Sequence, residues 1–143
     1  MSQVVNTRLS ETTVERLHRL ARRLGKTPSE TSAILIEEAL RENEFPYIEF
    51  RHSLYGRQPY LKNSSLAVWE VMAIAQNYDL DVQKTAEHFH RPVEWVKAAF
   101  IYAEAYADEV EMAVSDGQAM NETTLKQLFP QLETITIPDE VEG

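Results

Sequence analysis

The chain has 143 residues, enough for one ordinary domain or two small ones, and 43% of them are hydrophobic, which is sufficient for a buried core. It contains no cysteine, which excludes disulfides, thiolate catalysis and cysteine metal sites. We find neither an apolar run of about 18 residues, as a membrane span requires, nor a basic-then-apolar signal pattern at the start. We therefore expect a cytoplasmic protein with no membrane partner.

The net charge of −9 is unevenly distributed along the chain. Residues 1–26 hold six Lys/Arg and two Asp/Glu, a net charge of +4, whereas residues 27–143 hold eight and twenty-one, a net charge of −13. An acidic total disfavours non-specific nucleic-acid binding by the whole surface. A basic head followed by an acidic body indicates two separate roles.

A short alternating run, residues 4–9, precedes the first predicted helix. One face carries Val5, Thr7 and Leu9, and the opposite face carries Val4, Asn6 and Arg8. A lone strand must find its hydrogen-bond partners outside itself. Pairing with the same strand of a second copy supplies them, as an antiparallel ribbon.

Two amphipathic helices follow the run. Ser10 is the expected N-cap of the first helix, and Gly25 ends it. Thr27, Pro28 and Glu30 form a capping-box pattern that starts the second helix, which we expect to run to about residue 43. Its predicted buried positions are Ile34, Leu35, Ala39 and Leu40.

About 45 residues of this kind cannot bury a sufficient core alone. We therefore predict a dimer in which four helices close a shared core over one face of the ribbon. In that dimer Val5, Thr7 and Leu9 are core residues, and the other face of each strand is left outside. Strands are among the elements that enter a major groove.

The stretch NTRLSETTVERLHRLARRLGKTPSETSAILIEEALRE resembles a ribbon-helix-helix protein of the CopG/Arc/MetJ type over about residues 3–44. The resemblance implies that the outward strand residues Val4, Asn6 and Arg8 read bases. It also implies that the start of the second helix, at Thr27, Pro28 and Ser29, holds a phosphate.

General chemistry supports both assignments. Arg8 can bond guanine bidentately and Asn6 can bond adenine, whereas Val4 can contact only a thymine methyl group. A helix N-terminus offers free backbone N–H groups to an anion. The alternative is a dimerisation ribbon with a solvated outer face. We interpret Arg16, Arg19, Arg22 and Arg23 as a solvated helix face rather than as phosphate ligands.

The second half begins with extended pieces in IEFRHSLYGRQPYLKN, with a turn indicated by Gly56 and Pro59. Three helices follow, in LAVWEVMAIAQNY, in DVQKTAEHF and in the long segment PVEWVKAAFIYAEAYADEVEMAV. The predicted fold is mainly α: a ribbon-helix-helix dimerisation module in residues 1–45 and a small helix-turn-helix-like domain in residues 46–114. An acidic tail in residues 115–143 follows, with one weak helix near residues 123–128.

GRQPYLKNSSLAVWEVMAIAQNY and AEHFHRPVEWVKAAFIYAEAY together resemble a helix-turn-helix-like domain of unknown function that occurs in VapB-type antitoxins, over about residues 47–112. That family usually has Gly-Thr-Arg where this chain has Asn63, Ser64 and Ser65.

The long predicted helix is too acidic for a DNA-reading element, because its carboxylates would repel phosphates. Its apolar positions form two stripes, one of which includes the aromatic residues Trp95, Tyr102 and Tyr106. One stripe suffices for a core, so we interpret these three as a partner-binding surface. The alternative is a helix buried on both sides within its own domain.

We identify no catalytic constellation, cofactor loop or metal site, and interpret the chain as a non-enzyme. His88 and His90 are two positions apart and would point to different faces of a helix.

The resemblances imply a dimeric, sequence-specific DNA-binding transcriptional regulator, the antitoxin of a toxin–antitoxin operon, which binds the operator of its own operon and a basic toxin. The alternative is an interaction module that neutralises a basic partner with little or no DNA binding. For the tail we predict that residues 113–143 are dispensable for DNA binding and fold onto such a partner. A tail that packs back on the body is the rival interpretation.

Overall fold

The computed structural model describes residues 2–128. In this part of the chain six helices flank one β-hairpin, so the fold is mainly helical, as predicted. The elements in chain order are α1 (Glu11–Leu24), α2 (Pro28–Glu44), β1 (Ile48–Ser53), β2 (Gly56–Leu61), α3 (Val68–Gln76), α4 (Val82–Phe89), α5 (Val93–Ala105) and α6 (Ala107–Leu128).

The ends of the first two helices follow the predicted signals. The Ser10 hydroxyl accepts the Thr13 N–H at 3.2 Å, and Gly25 ends α1 in the left-handed conformation with φ 67°. At the start of α2 the Thr27 hydroxyl accepts the Glu30 N–H at 3.1 Å, and the Glu30 carboxylate accepts the Thr27 N–H at 3.3 Å. The predicted N-cap and capping box are therefore confirmed.

The extended pieces of the second half form an antiparallel hairpin, in which Ile48 lies opposite Leu61. The chain reverses just before Gly56, whose φ of 90° suits a residue without a Cβ. Pro59 lies within β2, opposite Phe50. A two-stranded sheet accepts it because both strands are edges.

The hydrophobic core belongs to the second half of the chain. It is built by one face of the hairpin and by side chains of α3, α4, α5 and α6. Its fully buried members include Ile48, Leu61, Val68, Val71, Val96, Ala99 and Tyr102. In α1 and α2, by contrast, the buried residues are Ala21, Thr31 and Glu38, so the two helices have no apolar core of their own in a single copy.

The long helix predicted from residue 92 onward is in fact two helices. The break lies at Tyr106, whose backbone is at φ −127° and ψ 49°, and α6 begins at the next residue. Neither Gly nor Pro stands near the break, so the sequence carried no local signal for it.

The expected boundary at residues 114/115 falls inside α6. Val114 is buried, and Gly117 lies so close to Trp69 that a Cβ there would be 2.5 Å from the indole ring. The weak helix predicted near residues 123–128 is the last part of α6. The rest of the predicted acidic tail lies outside the described residues.

The C-terminal half of α2 is fastened to the second half of the chain by Arg41. Its guanidinium binds Glu109 of α6 with two hydrogen bonds of 2.8 and 3.1 Å and donates to the Tyr102 hydroxyl at 2.9 Å. It also stacks 3.6 Å from the centre of the Tyr106 ring. Bidentate arginine–carboxylate pairs fix geometry as well as add energy. The direction of α2 is therefore set by contacts that lie far away in the sequence.

A second ion pair supports the same junction. Arg57 of β2 holds the largely buried Glu38 carboxylate with bonds of 3.1 and 2.6 Å. Phe45, directly after α2, packs edge-on against Tyr102 at 5.2 Å between ring centres. Residues 38–45 thus belong structurally to the second half as much as to the head.

The buried Tyr102 predicts a specific loss of stability in alkali. Burial raises the pKa of its hydroxyl to about 12, and the hydrogen bond from Arg41 offsets only part of this increase. An unfolded tyrosine loses its proton near pH 10, so between pH 10 and 12 the unfolded state binds fewer protons and the free energy of unfolding falls as pH rises. In Tyr102→Phe that fall should be shallower by up to about 1.4 kcal/mol per pH unit, as urea unfolding at pH 9–11.5 can measure. Identical slopes for the two proteins would contradict the assignment.

Candidate nucleic-acid interface

Residues 2–10 form neither a helix nor a strand in the single chain, and all of them are exposed. Val4 and Val5 are the extreme cases, 87% and 88% exposed. No other segment of residues 2–128 pairs with them. The ribbon therefore stays a prediction, and its outward residues Asn6 and Arg8 are open to solvent.

An open groove lies between residues 7–9, α1 and α2; we call it the head groove. Its volume is about 510 Å³. Its apolar walls are Leu9, Leu17, Leu20, Leu35 and Ile36, and Arg16, Arg19 and Arg23 also line it. Two of the three predicted dimer-core residues, Thr7 and Leu9, are thus brought to one groove. The third, Val5, is exposed and is not part of the groove lining.

The predicted burial along α2 is only partly present in a single copy. Ile34 and Leu35 are half-buried, but Ala39 and Leu40, both predicted to be buried, are exposed. The physical reason is that the contacts of α2 with α1 and β1 leave the side of the helix that carries Ala39 and Leu40 uncovered by the described chain. Exposed aliphatic side chains at Ile36 and Leu40, four positions apart, form one uncovered stripe.

The start of α2 offers less to a phosphate than the sequence suggested. The Thr27 N–H is already taken by Glu30, and Pro28 has no N–H. Hydrogen bonding to Thr27 lowers the pKa of the Glu30 carboxyl, so this group is negative at neutral pH. Among residues 27–29, the Ser29 N–H is the backbone donor with no partner in the described chain. A phosphate here would rely on that group and on the helix dipole.

The predicted partner-binding surface on the long helix is wrong. Trp95 and Tyr102 are buried in the core, 5% and 0% exposed, and Tyr106 is half-buried under Arg41. The cause is that α5 is packed against α3, α4, α6 and β2, so both of its apolar stripes are used inside the domain. These three aromatic residues stabilise the fold and do not form a surface for a partner.

Comparison with known protein families, curated proteins and solved structures finds no match. The case for a function therefore depends on the residues of this chain.

The histidines that the sequence singled out have structural roles. The Tyr78 hydroxyl and the His88 Nδ1 are hydrogen-bonded at 2.9 Å, and His90 ends α4 in the left-handed conformation. Within residues 2–128 no three His, Asp or Glu side chains are placed to hold a metal ion. The same part of the chain contains no helix that is long and apolar enough to span a membrane.

Sequence reasoning missed the open apolar residues of the second half. Ile101 is 57% exposed and Tyr47 is 47% exposed. A signal for Ile101 was present, since it belongs to neither of the two apolar stripes of its helix and must therefore lie on a third face.

Proposed function

We propose that this chain is a dimeric, sequence-specific DNA-binding regulator of the ribbon-helix-helix kind. The observation that carries the proposal is the exposed, alternating segment of residues 4–9 beside the open head groove. Apolar side chains at Val5 and Leu9 and on the uncovered stripe of α2 remain in water unless a second copy covers them. Removing such area from water contributes roughly 25 cal/mol per Å².

The charge distribution supports DNA as the ligand of the head. The net charge of residues 1–26 is +4, and Arg8 is exposed on the face that a paired ribbon turns outward. The acidic body, net −13, cannot attract DNA in bulk. Affinity must therefore come from a few directed contacts, and these favour recognition of one operator over general binding.

A titration of the full chain with the promoter of its own operon, by electrophoretic shift, tests this proposal. We expect a shift at salt concentrations where a scrambled promoter of equal length is not shifted. Equal binding of both DNAs, or of neither, would contradict sequence-specific recognition.

A second candidate function is the neutralisation of a basic partner, and the acidic body favours it. Exposed carboxylates on α5 and α6 include Glu94, Glu104, Asp108, Glu111 and Asp116. Surfaces of one sign speed association with partners of the other sign and exclude like-charged ones. The two functions are compatible, and together they correspond to an antitoxin that represses its own operon and binds a basic toxin. A toxin gene directly downstream would support that combination.

A further inference from the structure

A second open groove lies between the exposed face of α5 and the loop that joins α2 to β1; we call it the α5 groove. Its volume is about 440 Å³, and its lining includes Glu44, Tyr47, Glu94, Ala98 and Ile101. Grooves of this size are within the range of sites that accept side chains or small ligands. Ile101 and Tyr47 lie outside the core, and about half of the surface of each is exposed.

The groove has an apolar floor and an acidic rim. Glu44 and Glu94 line it and are exposed, and Glu104, three positions after Ile101, lies on the same face of α5. Lys97 is the one cation among the lining residues. The local balance is therefore negative, within a body whose net charge is −13.

The negative local charge distinguishes between two possible occupants of the groove, a second copy of this chain and a cationic segment of another protein. A second copy would bring an identical acidic face against the first, and juxtaposed like charges are unfavourable. A segment with lysines or arginines on one face and apolar side chains on the other matches both the rim and the floor. An amphipathic helix laid in a groove is a recurring way to present such a pattern.

We propose that the α5 groove binds a cationic amphipathic helix of a partner protein. The apolar side chains of the helix contact Tyr47 and Ile101, and its cations pair with Glu44 and Glu94. This inference deepens the second candidate function, on which it rests for the existence of a basic partner, and it is independent of DNA binding.

The test uses a labelled helical peptide of leucine and lysine as the probe and the full chain as the receptor, with binding followed by fluorescence anisotropy. Ile101→Ser should weaken binding by at least about tenfold, because it removes apolar area from the contact. The matched control is Leu54→Ser at the hairpin tip, 99% exposed and outside the groove, which should bind as wild type does.

The acidic rim is tested separately. Glu94→Gln should weaken peptide binding, whereas Glu111→Gln, which removes the same charge from an exposed position of α6, should not. A peptide of leucine and glutamate should fail to bind. If Leu54→Ser or Glu111→Gln weakened binding as much as the groove variants, attraction would be general and the proposal would be overturned.

Sedimentation of Ile101→Ser tests whether a second copy of this chain occupies the groove instead. The variant should keep the molecular mass of wild type, and a fall from dimer to monomer would show that copies of this chain occupy the groove, which overturns the proposal.

Promoter titration of the same proteins separates the two functions. Failure of wild type to bind its promoter contradicts the DNA function alone, since the peptide result does not depend on it.

Discussion

Replacing Arg8 by alanine should nearly abolish binding to the native promoter at physiological salt. A guanine contact by arginine contributes about 1–3 kcal/mol of discrimination, and a dimer makes the contact twice. The loss is therefore about 30-fold to 10⁴-fold in affinity. Few other contacts can compensate for this loss of affinity, because residues 27–143 carry a net charge of −13.

The matched control for this experiment is Arg22→Ala. Both arginines belong to the basic head and are exposed, but Arg22 is in the last turn of α1 and does not line the head groove. If Arg22 contacts DNA, its loss should weaken binding to all DNA sequences alike. The slope of the logarithm of the binding constant against the logarithm of salt concentration should then become smaller by roughly one per lost phosphate contact. Titrations of the three proteins with the native and a scrambled promoter give both quantities. Equal promoter affinity of wild type and Arg8→Ala would remove the segment 4–9 from the DNA interface.

Local signals in the sequence predicted the local features of the fold. Ser10, Gly25 and the Thr27–Glu30 capping box mark helix ends through bonds that span only a few residues, so they could be identified without the structure. The hairpin was indicated in the same way, by a glycine between two extended runs.

Features that depend on distant contacts could not be predicted. Arg41 contacts Tyr102 and Glu109, which are 61 and 68 residues away, and nothing in its own helix distinguished it from a solvated arginine. The break at Tyr106 has no breaker residue and occurs where the ring packs under Arg41. The packing of α5 against α3, α4, α6 and β2 explains the error at Tyr102 and Trp95. A helix with two apolar stripes either contributes one stripe to an interface or is buried on both sides within its own domain. Only the positions of the neighbouring elements distinguish the two cases.

Residues 2–45 present the opposite case, because apolar side chains there remain in water in the single chain. The second half holds a buried apolar core, although it leaves some apolar residues such as Ile101 exposed. The segment before it holds no such core, and its Val5, Ile36 and Leu40 are exposed. The two halves therefore differ in how much of their apolar surface the single chain buries. The second half has an apolar core within the single chain, and we predict that residues 1–45 gain one through association.

That difference makes Val5→Asp the most direct test of the dimer. Val5 is 88% exposed in the single chain, so a carboxylate there costs nothing in a monomer. In a paired ribbon it would be buried in the shared core, at a cost of about 3 kcal/mol or more per protomer from lost apolar burial and a desolvated charge. Two protomers together raise the dissociation constant of the dimer by about 10⁴-fold. Sedimentation at micromolar concentration should show a monomer, and circular dichroism should show that the helices of the body remain.

Val4→Asp is the matched control, since Val4 is 87% exposed and adjacent in sequence but lies on the outward face of the predicted ribbon. It should remain a dimer, although a carboxylate facing phosphates should weaken DNA binding. The pair of variants separates the two faces of one strand, which no property of the single chain distinguishes. If Val5→Asp sedimented as a dimer with wild-type stability, or if both variants dissociated equally, residues 4–9 would not form the ribbon, and the uncovered stripe of α2 would need a different partner.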